Sequence, residues 1–472
     1  MLKKRILDIV KDSSIYGVSK VLGQAISFFL IPLYTSYLTP NDYGILNIFG
    51  LFVTSLTLVM NFGLDSATYY FAGMAKDDES SRKSVANAQL LTLLIILVSL
   101  IFILIFSKDI TALLIDESQP VKYLLISLLI AVLGTIISIP TAYLRINRKV
   151  KIIASSTLIN VAASIIFTLI FVVVLKMGLV GALIGNLLGS FSSGLFILTK
   201  FPFVINNVYD KNVCIDLLKY SLPILPTKVF AFIIPLYSQW SIKQLLSLRE
   251  LGLYAIALKF TIPLTVILTM FQQAYAPYKY QILKTDENPK TTFVKIMNLF
   301  ILGFGTLVML ITLFGGDILK FMTNKNYHEA QYYVFYLAVI PFTQGIYFMF
   351  STGMEFSKSP KYRPLISGLG LLSVLISNNF LIKKLGVPGA ALSISFSWLV
   401  MAMGNLLYAQ KLYKIKYNWA IIIFIPLLVF VAGYIINQFF IDYLLLKFAI
   451  AFILGIIGIY FLKSNYNLKF KK

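Results

Sequence analysis

Side chains suited to catalysis or metal binding are scarce in this sequence. Its 472 residues include one cysteine, Cys214, and one histidine, His328. A disulfide within the chain is therefore excluded, and neither a histidine metal site nor a Ser–His hydrolase is expected. The phosphate-binding pattern G-x-x-x-x-G-K-[ST] is absent, which excludes ATP hydrolysis by that route. We therefore predict a protein that is not an enzyme and that needs no metal or cofactor.

Charged residues are also few, at 13% of the chain, whereas hydrophobic residues make up 58% and the mean hydropathy is +0.84. A soluble fold of this length could not bury so much apolar surface. The apolar residues form blocks of about 20 residues or more, the length that crosses a bilayer. We predict an all-α polytopic membrane protein with about fourteen transmembrane helices. Their approximate limits are 13–37, 44–64, 85–106, 121–144, 152–175, 178–199, 220–242, 252–275, 294–315, 331–354, 365–382, 386–409, 418–438 and 443–462.

Acidic residues are outnumbered by basic ones, 19 to 41, which gives a formal net charge of +22. Such a balance is also found in nucleic-acid binders, but cationic cytoplasmic loops are the simpler explanation in a membrane protein. With the N-terminus inside, the predicted cytoplasmic segments hold about 28 Lys or Arg, against about 10 outside. We therefore expect both termini in the cytoplasm and no nucleic-acid partner.

Two halves of the chain share short sequence patterns. Ile31–Thr35 reads IPLYT and returns 203 positions later as IPLYS in Ile234–Ser238. Lys176–Ala182 and Asp42–Leu46 each have a counterpart that begins 208 positions later. Each repeat holds six spans, and because this number is even the two halves must run parallel.

The repeat predicts two parallel, pseudo-symmetric six-helix bundles, with two additional helices at the C-terminal end. The expected limits are residues 1–205 and 206–410 for the bundles and 411–472 for the added helices. Transporters built from two such bundles bind substrate between them, near the midplane of the membrane.

Three lysines lie inside predicted spans, where a cation is costly unless it faces a partner or water. Lys20 and Lys228 each lie in the first span of one half, and no acid lies between Ser13 and Tyr37. Lys259 lies at a comparable depth in the eighth span. Snorkelling of each ammonium toward the headgroups is the alternative. The equivalent placement of Lys20 and Lys228 in the two halves favours a cationic cavity.

Uncharged polar and aromatic side chains complete the candidate binding site. Amides offer donors and acceptors to sugar hydroxyls, and tyrosine rings could stack on sugar faces, with helix packing as the alternative role. These candidates are Gln24, Asn61, Gln239, Gln272, Gln273, Tyr34 and Tyr275. Asp65 and Glu355, near span ends, are candidates for a gate or for ion coupling, or else boundary carboxylates that face the cytoplasm.

Five stretches of the sequence are similar to one family of membrane proteins. They are Leu30–Gly44, Phe62–Ala67, Ser221–Pro226, Gly252–Lys259 and Gln273–Pro277. Through them the chain resembles the bacterial O-antigen and capsule flippases, the polysaccharide-transporter branch of the multidrug/oligosaccharidyl-lipid/polysaccharide superfamily.

The resemblance implies a function and a set of partners. Such proteins move an undecaprenyl-pyrophosphate-linked oligosaccharide repeat unit from the cytoplasmic to the outer leaflet of the bacterial cytoplasmic, or inner, membrane. They do so by alternating access through a cationic cavity between two bundles. The expected partners are therefore this lipid-linked glycan, the lipid bilayer, and the polymerase or ligase that receives the glycan.

Two other functions fit parts of the sequence. A cation-coupled multidrug exporter of the same fold typically carries a carboxylate in its first span to hold Na⁺ or H⁺, where this chain has Lys20 and no acid. A glycan polymerase or ligase needs large extracytoplasmic loops, and the predicted outer loops are short. We therefore predict a flippase, with the exporter as the alternative and coupling to protons or sodium left open.

Overall fold

The apolar blocks fold as helices, because a backbone in hydrocarbon must satisfy its own hydrogen bonds. The computed structural model describes residues 28, 30–75, 77–116, 120–201, 209–223, 225–353 and 362–466. In these ranges every regular element is a helix, which confirms the predicted all-α class. The chain divides into two compact units, Met1–Leu236 and Tyr237–Lys472. The bundle limits derived from the repeat stay a prediction.

The first unit contains ten described helices, and an eleventh crosses the boundary between the units. They are α1 (Ile31–Tyr37), α2 (Pro40–Asn61), α3 (Leu64–Gly73), α4 (Asp78–Ile105), α5 (Ser107–Leu114), α6 (Lys122–Ile136), α7 (Ser138–Ile146), α8 (Val150–Thr168, continued by a π-helical segment, Leu169–Val174), α9 (Gly178–Lys200), α10 (Lys211–Ser221) and α11 (Leu225–Leu245). In this unit α8 packs along α9, α2 along α6, and α3 against α4 and α7.

The second unit is organised around a long helix, α14. Its described helices are α12 (Leu248–Lys259), α13 (Ile262–Thr285), α14 (Pro289–Met322), a 3-10 segment (Lys325–Ala330), α15 (Gln331–Phe350), α16 (Arg363–Leu385), α17 (Val387–Leu412), α18 (Trp419–Phe439) and α19 (Leu444–Tyr466). Helix α14 packs against α15, α18 and α19. Stacked rings of Phe300, Phe304 and Phe342 lie in the core between α14 and α15.

Ten helical segments among the described residues are long and apolar enough to cross a membrane. They correspond to the predicted spans two to six and nine to thirteen. Helices α12 and α13 form a further candidate that is bent by 49°. Helices α11 and α19 occupy the seventh and fourteenth predicted spans, and most of the first, 13–37, lies outside the described residues. The total of fourteen stays a prediction.

Helix caps recur 208 positions apart, as the sequence repeat predicts. Thr39 caps α2 by accepting a hydrogen bond from the Asp42 amide, and the Asp42 carboxylate accepts one from the Thr39 amide in return. Ser247 caps α12 by accepting a hydrogen bond from the Glu250 amide. Both caps satisfy amides that have no partner within their helix.

Close glycine contacts recur at the same offset. Gly178 is the first residue of α9 and Gly386 is the N-cap residue of α17, and their φ angles of +54° and +67° favour glycine. Three residues further on, Gly181 lies against the backbone of Phe171, where an added Cβ would be 2.8 Å from its carbonyl carbon. Gly389 lies against the backbone of Leu381 in the same way. Each unit therefore contains the same tight crossing of two consecutive helices.

Candidate functional site

Several predicted site residues lie beyond what the structure tests. Lys20, Gln24 and Glu355 are outside the described residues, and for Lys228 the structure describes only the backbone of α11. A cluster of Lys20, Lys228 and Lys259 therefore stays a prediction. The other candidates divide between the two units, with Tyr34, Asn61 and Asp65 in the first. The second unit holds Gln239, Lys259, Gln272, Gln273 and Tyr275.

Asn61 lies where two interrupted helices of the first unit meet. Helix α2 ends at Asn61 because Phe62 and Gly63 both adopt left-handed conformations, with φ of +53° and +77°. The Asn61 Nδ2 donates to the Ser138 hydroxyl at 2.8 Å, and that hydroxyl donates to the Thr135 carbonyl at 2.7 Å. Ser138 begins α7 just after α6 ends, so one side chain joins two helix breaks. Asn61 is only 8% exposed, which fits a bonded amide inside a bundle.

Asp65 lies beside Asn61 at the start of α3. Its backbone amide is 3.5 Å from the Asn61 Oδ1, and its own Oδ1 accepts a hydrogen bond from the Ser66 hydroxyl at 3.3 Å. The first turn of a helix stabilises a carboxylate, because the unpaired amides there carry partial positive charge. The structure thus brings together two predicted site residues, an amide and a partly buried acid.

Tyr34 occupies a separate part of the first unit. Its ring is buried and meets the ring of Tyr43 edge-on, with the centroids 6.2 Å apart. The hydroxyl lies beside the side chains of Thr168 and Asn186, on α8 and α9. Tyr34 therefore connects the start of the first unit to its central helix pair.

Lys259 is the last residue of α12, at the point where the bent pair breaks. Helix α13 begins at Ile262, and Pro263 in its first turn has no N–H to continue the ladder of α12. The ammonium side chain is partly buried. The carbonyl groups at a helix C-terminus carry partial negative charge and stabilise such a cation. A predicted cavity lysine is thus placed at a 49° bend in a candidate membrane span.

The remaining candidates of the second unit lie on α11 and α13. Gln239 is buried, Gln272 is partly buried and Gln273 is exposed. The ring of Tyr275 stacks on Phe271 at 5.6 Å between centroids, and its hydroxyl is 3.4 Å from Thr352 Oγ1. These contacts place Tyr275 in the core of the second unit.

An aromatic and basic surface in the first unit was missed by the sequence analysis. The Arg145 guanidinium lies 5.8 Å from the centre of the Tyr69 ring. Tyr70, 46% exposed, stacks on Tyr220 with centroids 4.8 Å apart and an interplanar angle of 18°. An arginine beside an aromatic ring suits phosphates, and tyrosine rings suit sugars. The adjacent pair Tyr69–Tyr70 was the signal in the sequence.

Among the described residues, no group of three or more His, Cys, Asp or Glu side chains could hold a metal ion.

The fold is shared with a solved lipid flippase and with solved multidrug transporters. The lipid II flippase MurJ, in its inward closed conformation, is 18% identical with a TM-score of 0.71, over 95% of this chain and 99% of that one. A multidrug resistance MATE family transporter of the MOP superfamily, in its inward-facing conformation, is 16% identical with a TM-score of 0.60. That match covers 82% of this chain and 94% of the transporter. An outward-facing MATE family transporter is 16% identical with a TM-score of 0.59, and the match covers 86% of this chain and 94% of that one. These similarities define an integral membrane protein with the MurJ and MATE fold.

The sequence itself gives the family. Residues 9–283, more than half of the chain, match the model of the polysaccharide biosynthesis protein family, and the protein belongs to that family. This confirms the polysaccharide-transporter branch that the sequence motifs indicated. A search of curated proteins finds no significant match.

Proposed function

We propose that this protein is a flippase that moves an undecaprenyl-pyrophosphate-linked oligosaccharide repeat unit from the cytoplasmic to the outer leaflet of the bacterial cytoplasmic membrane. The main support is the family match over residues 9–283. The fold shared with a lipid II flippase over 95% of the chain adds to it. In this proposal both termini are cytoplasmic, and a glycan polymerase or ligase receives the product.

Cationic side chains would lower the main barrier to this reaction. A pyrophosphate carries negative charge that hydrocarbon does not solvate, and no bond is broken during transfer. Lys20, Lys228 and Lys259 would attract the pyrophosphate, since ammonium groups bind phosphates as point charges. The partial burial of Lys259 at the end of α12 supports this assignment, because a partly desolvated cation interacts more strongly with an anion.

Uncharged groups would hold the glycan loosely while the protein alternates between two access states. Gln24, Asn61, Gln239, Gln272 and Gln273 would bind sugar hydroxyls, and Tyr34 and Tyr275 would pack against sugar faces. Asp65 and Glu355 would serve as gates or would couple transfer to protons or sodium. The bend between α12 and α13 offers a place where a span can flex.

The test is complementation of a deletion strain of the source bacterium. Deletion should remove surface glycan and raise the lipid-linked precursor on the cytoplasmic side. The wild-type gene should restore both, whereas Lys20→Ala, Lys228→Ala and Lys259→Ala should each reduce rescue at unchanged protein level. Lys151→Ala, which removes an exposed lysine outside the predicted site, is the matched control.

Two outcomes would contradict different parts of this proposal. Unchanged surface glycan and precursor in the deletion strain would contradict the flippase. Full rescue by the triple lysine variant would contradict the cationic cavity only.

The alternative is a cation-coupled multidrug exporter, which the MATE fold similarity favours. Raised sensitivity of the deletion strain to cationic drugs, with surface glycan intact, would support it.

A further inference from the structure

A pocket lined by lysines lies at one end of α14 in the second unit. Its volume is about 320 Å³, and it is lined by Lys290, Thr291, Val294, Lys414 and Lys416. Sites for small ligands start at about 300 Å³, so this pocket could hold a compact polar group. The lining residues include three cations and a hydroxyl but no acid.

Side-chain contacts position the lysines that line the pocket. The Gln410 side chain donates to the Ile415 carbonyl at 2.8 Å and accepts from the Ile415 amide at 3.1 Å, which fixes the chain after α17. Ile415 is buried in the core, and the exposed Lys414 and Lys416 flank it. Lys290, in the first turn of α14, lies 5.1 Å from the centre of the Tyr413 ring.

Electrostatics in this pocket favour an anion. No ion pair between described residues involves Lys290, Lys414 or Lys416. The nearby acid Asp286 bonds to other groups, since its carboxylate accepts hydrogen bonds from the Thr292 hydroxyl at 2.6 Å and from the Asn288 amide. Three ammonium groups around one pocket repel each other, and the amides at the start of α14 add partial positive charge. A bound anion would relieve that repulsion.

We expect the pocket to lie at the depth of lipid headgroups, because it is found where two candidate membrane spans begin. Helices α14 and α18 are both candidate membrane spans, and the pocket lies at the start of α14 and just before α18. Tyr417 and Trp419 make an edge-on ring contact there, and Trp419 is 46% exposed. Tyr and Trp concentrate at the interface between membrane and water. Basic pockets between membrane helices at this depth recognise anionic headgroups.

We propose that this pocket binds the phosphate group of an anionic lipid headgroup. The lipid would be a constituent of the surrounding membrane, independent of the transported substrate. The three ammonium groups would bind the phosphate oxygens, and the Thr291 hydroxyl would donate a hydrogen bond to them. The acyl chains would lie along the apolar surface of the neighbouring spans.

The test measures lipid-dependent thermal stability of the full-length protein in non-ionic detergent. We expect phosphatidylglycerol or cardiolipin to raise the Tm by several degrees more than phosphatidylcholine does, because a ligand of the native state stabilises it. The triple variant Lys290→Gln, Lys414→Gln, Lys416→Gln should lose at least half of this difference. The matched control Lys149→Gln, Lys151→Gln, Lys200→Gln removes three exposed lysines of the first unit and should keep it.

Two further variants test the pocket separately from its charge. Val294→Phe should reduce the anionic-lipid shift without changing charge, since it fills the pocket, and the triple Lys→Arg variant should keep the shift.

An equal shift in the glutamine variant and its control would overturn the proposal. A shift of the same size from inorganic phosphate alone would overturn the lipid assignment. If the glutamine triple variant does not fold, Lys414→Gln alone, read by native mass spectrometry of bound lipid, replaces it.

Discussion

Asn61 donates a hydrogen bond from its Nδ2 to the Ser138 hydroxyl at 2.8 Å, across 77 positions of the sequence. This bond joins the break between α2 and α3 to the break between α6 and α7. A predicted site residue thus holds two helix interruptions together, so the strength of this bond measures the structural role of Asn61.

A double-mutant cycle on Asn61→Ala and Ser138→Ala measures that strength. Hydrogen bonds between membrane helices are worth about 0.6 kcal/mol on average and up to about 1.7 kcal/mol. We expect a coupling energy in that range from reversible unfolding in detergent. If Asn61 also binds glycan, Asn61→Ala should reduce transport while Ser138→Ala does so much less. Equal transport defects in the two variants would assign Asn61 a structural role alone.

In the ion pair between α14 and α19, we expect the loss of the acid to cost more free energy of unfolding than the loss of the lysine. Lys447 Nζ lies 2.6 Å from Asp317 Oδ2, and the side chains are 1% and 37% exposed. Asp317→Ala would leave a buried ammonium without its partner and should cost roughly 2–4 kcal/mol. Lys447→Met should cost less, because the remaining Asp317 carboxylate is 37% exposed whereas the Lys447 ammonium is buried.

The neighbouring pair supplies the control for this asymmetry. Lys320 and Asp442 lie 2.8 Å apart with both side chains more exposed, so Asp442→Ala should cost less than about 1 kcal/mol. Thermal unfolding of the three variants in one detergent measures the order. A cost of Lys447→Met equal to that of Asp317→Ala would show that burial of the ammonium does not set the energy.

Gly389 should tolerate no side chain. An added Cβ would press on the Leu381 carbonyl, a backbone atom that cannot turn away, so Gly389→Ala should destabilise the second unit by about 1–3 kcal/mol or more. Gly181→Ala should do the same in the first unit.

Gly368 is the matched control for these glycines. It lies within α16 with no atom inside 4 Å of an added Cβ, so Gly368→Ala should be neutral or stabilising by about 0.5–1 kcal/mol. Thermal unfolding of Gly389→Ala and Gly368→Ala side by side tests the difference. A similar Tm for the two variants would contradict the tight crossing.

Stability should fall in acid partly through Asp210, which precedes α10. The hydrogen bond from Lys83 at 2.7 Å, together with the amides of Val213 and Asn212, lowers the pKa of Asp210. A lowered pKa in the folded state means that this stabilisation is present above the ordinary value of about 3.9 and is lost as the pH falls through the folded pKa.

Asp210→Asn separates the ion pair from the helix cap, because the amide oxygen can still accept from the α10 amides. We expect the variant to have a lower Tm than the wild type near neutral pH, and we expect this difference to shrink as the pH falls below the ordinary carboxyl pKa of about 3.9. A Tm difference that is constant across this range would mean that the carboxylate charge contributes nothing.

Much of the fold could be read from local sequence. Ten predicted spans lie where apolar helices were found, because a run of apolar residues is expelled from water wherever it lies in the chain. The caps at Thr39 and Ser247 follow from side chains that bond amides three residues away. The break at Lys259 could have been anticipated from Pro263, four positions further on.

What the sequence determined by itself is therefore the membrane class, most span limits, the repeat and the caps, since hydrophobicity and capping act over a few residues. Only the tertiary structure decided which polar groups meet. Asn61 reaches Ser138, Lys447 reaches Asp317 and Lys290 faces Lys414, all across 77 positions or more. Such pairs depend on how helices pack, and many packings satisfy the same apolar pattern.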